Sequence, residues 1–101
     1  MELYFEVKTP LSVIVRTTKP YWDYLIEKKH PPMEGKEKIV IETLSQPQEI
    51  RRSSVDTDVY LYYKQFDRLY CVVAKHQGLQ GFLITAYPAD KVKEGEIIWT
   101  V

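Results

Sequence analysis

The sequence contains little of what would identify a function at once. Cys71 is the single cysteine, so no disulfide can form within the chain, and its place in an apolar run predicts a small buried side chain rather than a nucleophile. No apolar run is long enough to cross a membrane, and the first residues lack the charged leader and long apolar core of a signal peptide. Together these absences predict a cytoplasmic protein.

The charge is balanced and the familiar cofactor motifs are missing. The 14 basic and 14 acidic residues cancel, which argues against nucleic-acid binding through bulk charge but leaves room for a local basic patch. Glycine-rich nucleotide loops, CxxC pairs and the G-x-S-x-G elbow are absent. The two histidines, His30 and His76, lack metal-ligand spacing with each other or with Cys71. The sequence therefore predicts neither a metal site nor a cofactor.

The apolar pattern predicts one α+β domain over residues 1–101. Short β-rich runs separated by turn residues predict a four-stranded antiparallel sheet in the second half of the chain. These runs are Ile50–Ser54, Val59–Phe66, Leu69–His76 and Phe82–Tyr87. Two earlier runs, Leu3–Lys8 and Ser12–Arg16, predict an N-terminal strand or hairpin. Ile97–Trp99 is expected to pack against an edge strand or a partner.

Two helices are predicted between the hairpin and the sheet. The first begins at Thr18 or Lys19 with Pro20 in its first turn, and it stops before Pro31 and Pro32. The second covers residues 36–45 and presents one apolar side to the sheet.

Alternation along the strands predicts a sheet with two unlike faces. In the run 59–66 one face carries Tyr60, Tyr62 and Lys64, and the other face carries Val59, Leu61 and Tyr63. In the last run one face carries Leu83, Thr85 and Tyr87, and the other carries Phe82, Ile84 and Ala86. One face is thus expected to form the core. The polar face is expected to be either solvated or a binding surface.

Some polar residues supply what metal-free RNA cleavage requires, namely a base for the 2′-OH, a cation for the phosphate and a proton donor. The candidate catalytic residues are His30, Arg52, Lys75, Thr85 and Tyr87, and the candidate RNA-binding residues are Arg51, Tyr60 and Tyr62. Arg51 and Arg52 alternate in direction, so only one of them can face a given surface.

Each candidate also has an ordinary structural explanation. His30 can cap the first helix, and Lys75 can be a solvated strand end. Thr85 and Tyr87 suit any strand, and the tyrosines can pack with a wet hydroxyl. His76, beside a glycine turn, is expected to be solvated.

Several segments resemble a family of small bacterial proteins, common in cyanobacteria, that are grouped with the barnase–EndoU–colicin–RelE (BECR) fold nucleases. The segments are RTTKPYW (16–22), KHP (29–31), IRRS (50–53), VYLYYK (59–64), YCVVAKH (70–76) and GFLITAYPADKVKEGEIIW (81–99). The resemblance implies two helices followed by a four-stranded antiparallel sheet, and a metal-independent, toxin-like ribonuclease. It places active residues at His30, Arg51 or Arg52, Lys75, Thr85 and Tyr87.

Two hypotheses of different classes follow. The first is a metal-independent RNA endonuclease that acts on RNA and has an antitoxin or another protein as a partner. The second is a non-catalytic module of the same fold that binds a protein or a second copy of itself through the polar face of the sheet or through Ile97–Trp99. A homodimer is the expected form, because exposed edge strands and an apolar tail favour pairing. Convergence of His30, an arginine and Thr85 in one cleft would favour the enzyme, and their dispersal would favour the module.

Overall fold

The structure, a computed structural model, describes residues 2–92 and 95–101. Its strands are β1 (Leu3–Lys8), β2 (Ile14–Thr18), β3 (Glu49–Arg52), β4 (Val59–Gln65), β5 (Leu69–Gln77), β6 (Gln80–Pro88) and β7 (Glu96–Thr100). The helical segments are α1 (Lys19–Tyr24), a π-helical turn (Leu25–Lys29), a 3₁₀ turn (Pro31–Met33) and α2 (Glu37–Ser45). The four helical segments of the described residues lie between β2 and β3.

The strands form one sheet in the order β1-β2-β6-β5-β4-β3-β7. The strands β3 to β6 form the expected antiparallel meander. The sheet is nevertheless seven-stranded and mixed, because Ile14–Arg16 of β2 runs parallel to Gln80–Phe82 of β6. The predicted fold class, two helices with a four-stranded antiparallel sheet, is therefore wrong.

Long-range pairing explains the difference. The β1–β2 hairpin does form, and it then joins the meander beside β6, where the Ile14 amide donates to the Leu79 carbonyl at 3.0 Å. At the opposite end, Glu96–Thr100 pairs antiparallel with β3. Both additions bury apolar strand residues, such as Val15 at 0% exposed, that a smaller sheet would leave uncovered.

The first helix starts where the sequence predicted. The Thr18 hydroxyl accepts a hydrogen bond from the Tyr21 amide at 3.3 Å, which caps α1, and a proline occupies the first turn. After Tyr24 the helix widens into the π-helical turn, which closes when the His30 amide donates to the Leu25 carbonyl at 2.9 Å. This turn ends directly at His30, and the 3₁₀ turn follows it.

Both faces of the sheet carry a core. The helix-side core includes Trp22, Leu25, Val40, Leu44, Tyr62 and Val72; a second core on the opposite face contains Leu61, Tyr63, Cys71 and Val73. The two-residue alternation of β4 is confirmed. Its Tyr60 and Tyr62 side, however, lies under the helices, and Tyr62 is 0% exposed. The tyrosine face is thus part of the core rather than an open surface.

A β-bulge changes the direction of side chains in β6. Val73 of β5 lies opposite Thr85 and Ala74 lies opposite Leu83, so Ile84 is an extra residue in the ladder. Leu83 and Ala86 consequently enter the helix-side core, while Ile84 and Tyr87 pack with the second core. The alternation predicted for this strand is wrong beyond Leu83, because a bulge has no signature in a two-residue pattern.

Candidate functional site

The edge of β6 next to the π-helical turn brings two predicted catalytic residues together. The ring centroids of His30 and Tyr87 lie 5.2 Å apart with the planes tilted by 34°. His30 is partly exposed at the end of the π-helical turn, and Tyr87 is held near the end of β6. Both residues lie at ends of regular elements, which brings their backbones to the same edge of the sheet.

Two further side chains reach the same edge through the bulge. The carbonyl of Ile84 accepts a hydrogen bond from the Tyr21 hydroxyl at 2.6 Å and from the Lys29 ammonium at 3.3 Å. Lys29 also lies 5.9 Å from the ring centroids of Tyr21 and Tyr24. We call His30, Tyr87, Lys29 and Tyr21 the His30 site. It contains a base, a cation and two phenols.

The electrostatics of this site hold both ring groups neutral. Partial burial, with help from the positive charge of Lys29, lowers the pKa of His30, so its imidazole is neutral at neutral pH. Burial, together with the neighbouring Cys71, raises the pKa of Tyr87 and keeps its phenol protonated. The pair therefore combines a potential proton acceptor with a potential proton donor.

A row of cations and an aromatic ring crosses the exposed part of the second-core face. Arg16 lies opposite Phe82, and Phe82 lies opposite Lys75, on three neighbouring strands. Residues paired in this way share a face, and their strands lie about 5 Å apart. Phe82 is 43% exposed. We call Arg16, Phe82 and Lys75 the cation–aromatic row.

The cations of this row are only loosely paired. Arg16 lies 3.6 Å from Glu6, and Lys75 lies 3.9 Å from Asp56, both longer than a charge-assisted hydrogen bond. Exposed pairs at such distances contribute little to stability. Both cations are therefore available to an anionic ligand at small cost.

A cavity opens where β2 and β6 separate after Arg16 and Phe82. Its volume is about 560 Å³, and its walls are Leu3, Arg16, Thr17, Thr18, Tyr21, Phe82 and Leu83. We call it the fork cavity. Through Phe82 it adjoins the cation–aromatic row, and through Tyr21 it adjoins the His30 site.

Three buried polar atoms near this region have no hydrogen-bond partner among the residues that the structure describes. They are Arg16 Nε, Thr17 Oγ1 and Thr85 Oγ1. Buried polar groups are almost always paired in folded proteins, since an unpaired one costs free energy. These three atoms in β2 and β6 can therefore bond to water or to a ligand.

The other predicted residues lie at the far end of the sheet. Arg52 bonds to Glu96 at 3.0 Å and to the Tyr60 hydroxyl at 3.3 Å. Tyr60 stacks on His76 at 3.9 Å, and His76 Nε2 bonds to the Tyr62 hydroxyl at 2.9 Å. We call Arg52, Tyr60, Tyr62 and His76 the His76 cluster. Because β4 and β5 separate β3 from β6, Arg52 is about 14 Å or more from the His30 site by strand spacing.

The His76 cluster bears on two expectations, the solvation of His76 and the binding of RNA bases by Tyr60 and Tyr62. His76 is only 9% exposed, so the prediction that it is solvated is wrong. Burial lowers the pKa of His76 to about 4 and raises that of Tyr62 to about 12. Tyr62 is fully buried and offers no face to an RNA base. One face of Tyr60 stacks on His76, and Arg52 lies 5.6 Å from its ring centroid, so little of this ring is available for stacking.

The structure also assigns directions to the two adjacent arginines. Arg51 pairs across the sheet with Leu61 of the second core, and Arg52 pairs with Tyr60 of the helix side. Arg51 forms an ion pair with Glu49 and donates to the Gly95 carbonyl at 3.4 Å. It is therefore Arg51 that shares a face with Lys75, although its guanidinium is engaged locally.

Convergence of the predicted residues is thus partial. His30 meets Tyr87, and Thr85 lies two residues away in the same strand, whereas Arg51, Arg52 and Lys75 do not join the His30 site. Sequence reasoning missed Arg16, Tyr21, Lys29, Phe82 and Thr17. A weak signal existed for one of them, because Lys29 directly precedes His30 in the chain.

Comparisons of the chain with known proteins found no match. No family model, no curated protein and no solved structure matches the chain. Within residues 2–92 and 95–101, no group of three or more His, Cys, Asp or Glu side chains is arranged to hold a metal ion. Among the same residues, no helix has the length and apolar character needed to span a membrane.

Proposed function

We propose that the chain is a metal-independent RNA endonuclease whose substrate lies along β6, with His30 as its acid–base residue. The observation that carries this proposal is the contact of His30 with Tyr87 beside the ammonium of Lys29. A neutral imidazole, a protonated phenol and a cation are the groups that cleavage through the 2′-OH requires.

The reaction begins when the neutral His30 imidazole takes the proton of a 2′-OH. The 2′ oxygen attacks the adjacent phosphorus, the bond to the 5′ oxygen breaks, and a 2′,3′-cyclic phosphate forms. Lys29 stabilises the negative charge on the phosphate oxygens. Tyr87 or the newly formed imidazolium of His30 donates a proton to the leaving 5′ oxygen.

The cation–aromatic row supports RNA as the substrate. An exposed aromatic ring between two cations suits an unpaired base with its neighbouring phosphates, because the ring stacks and the cations neutralise charge. Phe82 lies opposite Lys75 of β5, and Tyr87 lies opposite Cys71. Lys75 and Cys71 share a face of β5 and are four residues apart, so Phe82 and Tyr87 are separated by about 13 Å along the sheet. A short single strand spans that separation along β6.

The division of roles differs from the one that the sequence suggests. Arg52 is held in the His76 cluster, so phosphate binding falls to Lys29 and Arg16. Lys75 acts in RNA binding through the row rather than in catalysis. Thr85 keeps a role, because its buried hydroxyl has no hydrogen-bond partner among the described residues and lies between Phe82 and Tyr87 in the chain.

Cleavage of a single-stranded RNA oligonucleotide by the purified protein in the presence of EDTA tests this proposal. We expect products that end in a 2′,3′-cyclic phosphate, none from the matching 2′-deoxy oligonucleotide, and none with His30→Ala. His76→Gln serves as the matched histidine control and should retain cleavage. Intact RNA after incubation with the wild-type protein, together with normal growth of cells that express it, would refute the proposal.

A second candidate function rests on the β7 edge. Within the described residues β7 pairs only with β3, and its Ile97 is 53% exposed. An apolar edge strand of this kind can pair with the same strand of a second copy, which gives a symmetric dimer. This candidate is a homodimerisation module.

Analytical ultracentrifugation distinguishes the module from a simple monomer. We expect the wild-type protein to sediment as a dimer and Ile97→Lys as a monomer, because a charge on an edge strand opposes pairing. Leu79→Lys, at another exposed apolar residue, is the control. A wild-type protein that remains monomeric at high concentration would exclude this candidate.

A further inference from the structure

The fork cavity has the composition of a ligand site. Its volume of about 560 Å³ lies within the range of small-molecule pockets. Its walls are largely apolar and aromatic, because they include Leu3, Tyr21, Phe82 and Leu83. A flat, mostly apolar group can therefore enter without desolvating many polar atoms.

The polar atoms of the cavity wall include two hydrogen-bond donors. Thr17 is only 5% exposed, and its hydroxyl has no hydrogen-bond partner among the described residues. The buried Nε of Arg16 is likewise without an acceptor in that part of the chain, although another nitrogen of the same guanidinium lies 3.6 Å from Glu6. Arginine Nε–H can only donate, and a threonine hydroxyl can donate. Arg16 and Thr17 are adjacent in β2 and point to opposite faces of the strand, so a base in the cavity pairs with one of these donors. For either donor the ligand must present an acceptor oxygen or nitrogen.

A nucleobase with a carbonyl group meets all of these conditions. It is planar, its faces are apolar enough to lie against Phe82 and Tyr21, and its edge carries acceptors. Guanine presents two neighbouring acceptors, O6 and N7, whereas the same edge of adenine replaces the carbonyl with a donor amine. The donors of the cavity therefore favour guanine or uracil over adenine.

We propose that the fork cavity is a base-recognition pocket that holds one unpaired, carbonyl-bearing base of the RNA. This inference rests on the proposed function and names the substrate feature that the site selects. Phe82 belongs both to the cavity wall and to the cation–aromatic row, so a base in the cavity lies beside the cations that bind phosphate. Tyr21 belongs both to the cavity and to the His30 site, which connects recognition with cleavage.

Binding of nucleoside monophosphates to the full chain, followed by heteronuclear NMR, tests the pocket without requiring cleavage. We expect GMP and UMP to shift the amide signals of Thr17, Thr18 and Leu83 and to bind about tenfold more tightly than AMP, as one lost hydrogen bond predicts. Inorganic phosphate alone is the control for binding through phosphate, and it should bind more weakly than GMP and UMP.

Thr17→Val is the decisive variant, because it removes the hydroxyl while nearly preserving the shape of the side chain. We expect it to weaken GMP and UMP binding by about tenfold with no loss of thermal stability, since the hydroxyl it removes is unpaired in the fold. Thr43→Val, at another buried threonine whose hydroxyl is already bonded to Ile39, should not change binding.

The outcomes separate this inference from the proposed function. The base pocket would be overturned, and the nuclease left in place, by either of two results. One is RNA cleavage by a protein whose cavity signals no nucleotide shifts, and the other is nucleotide binding that Thr17→Val leaves unchanged. Selective binding of GMP or UMP by a protein that cuts no RNA would support the pocket and refute the nuclease. Equal binding of all nucleotides and of phosphate would show that the cations alone attract the ligand, which also overturns the pocket.

Discussion

The His30 ring lies 5.2 Å from the Tyr87 ring, although 57 residues separate them in the chain. Two local departures from regular structure lie at the two residues. The π-helical turn closes at His30, and the bulge at Ile84 turns Tyr87 toward the second core. Both features are enriched at functional sites in proteins generally.

The positive charge of Lys29 contributes to the neutrality of His30, so its removal should be visible by titration. In Lys29→Met we expect the pKa of His30 to rise toward the ordinary histidine value while remaining below it, because burial is the larger cause and persists. NMR titration of the imidazole measures this. Lys28→Met, which removes an exposed lysine paired with Glu27, is the control and should leave the pKa unchanged.

Stability and activity should respond in opposite directions at Thr85. Its buried hydroxyl has no hydrogen-bond partner in the described chain, so Thr85→Val should leave the free energy of unfolding unchanged or raise it by up to about 1 kcal/mol. The same variant should reduce RNA cleavage, and Thr85→Ser should restore it. Urea denaturation and cleavage rates measure the two effects. A variant with unaltered cleavage would show that the hydroxyl has no part in the reaction.

Phe82 should contribute to RNA affinity rather than to folding. We expect Phe82→Leu to weaken binding of an uncleavable 2′-deoxy single strand by about tenfold, because one stacked base contributes about 1–3 kcal/mol. Thermal stability should change little, since the ring is 43% exposed. Tyr4→Leu, at an aromatic residue 37% exposed on β1, is the matched control. Equal affinity in the two variants would contradict a stacking role.

Lys75 should act through charge. Lys75→Gln is expected to weaken binding of the same single strand and to lower the salt dependence of the affinity by the equivalent of about one phosphate contact. Arg68→Gln removes an exposed cation from the β4–β5 turn and provides the comparison. An identical salt dependence in the wild type and Lys75→Gln would remove this lysine from the RNA-binding surface.

His76 should make the fold sensitive to acid. Burial lowers its folded-state pKa to about 4, below the ordinary value of 6.5, so the folded chain binds this proton less readily than the unfolded chain. Its contribution to stability is full above pH 6.5 and is lost as the pH falls toward 4. The loss between pH 7 and pH 5 should be about 2 kcal/mol.

Comparison with His76→Gln isolates this effect from that of the carboxylates. Between pH 7 and pH 5 the free energy of unfolding should fall less in the variant than in the wild type, and the difference between the two falls should be about 2 kcal/mol. His30→Gln is the control, since His30 is more exposed and should alter the pH dependence less. Parallel stability curves for the wild type and His76→Gln would show that His76 titrates normally.

Much of the local structure followed from the sequence alone. The start of the first helix at Thr18 or Lys19, the meander strands β3 to β6 and the burial of Cys71 were all predicted, because each depends on residues close together in the chain. The structure places the cap at Thr18. The same local chemistry singled out His30, Thr85 and Tyr87. It could not decide between competing explanations for them.

Tertiary structure decided the rest. The parallel pairing of β2 with β6 and the addition of β7 depend on which surfaces remain uncovered once the meander forms, and this information is distributed over the whole chain. The bulge at Ile84 and the covering of Tyr62 by helices reversed the expected faces of the sheet. Arg16, Phe82 and Lys75 form a row only because three distant segments become neighbouring strands, so no local pattern of residues could have grouped them.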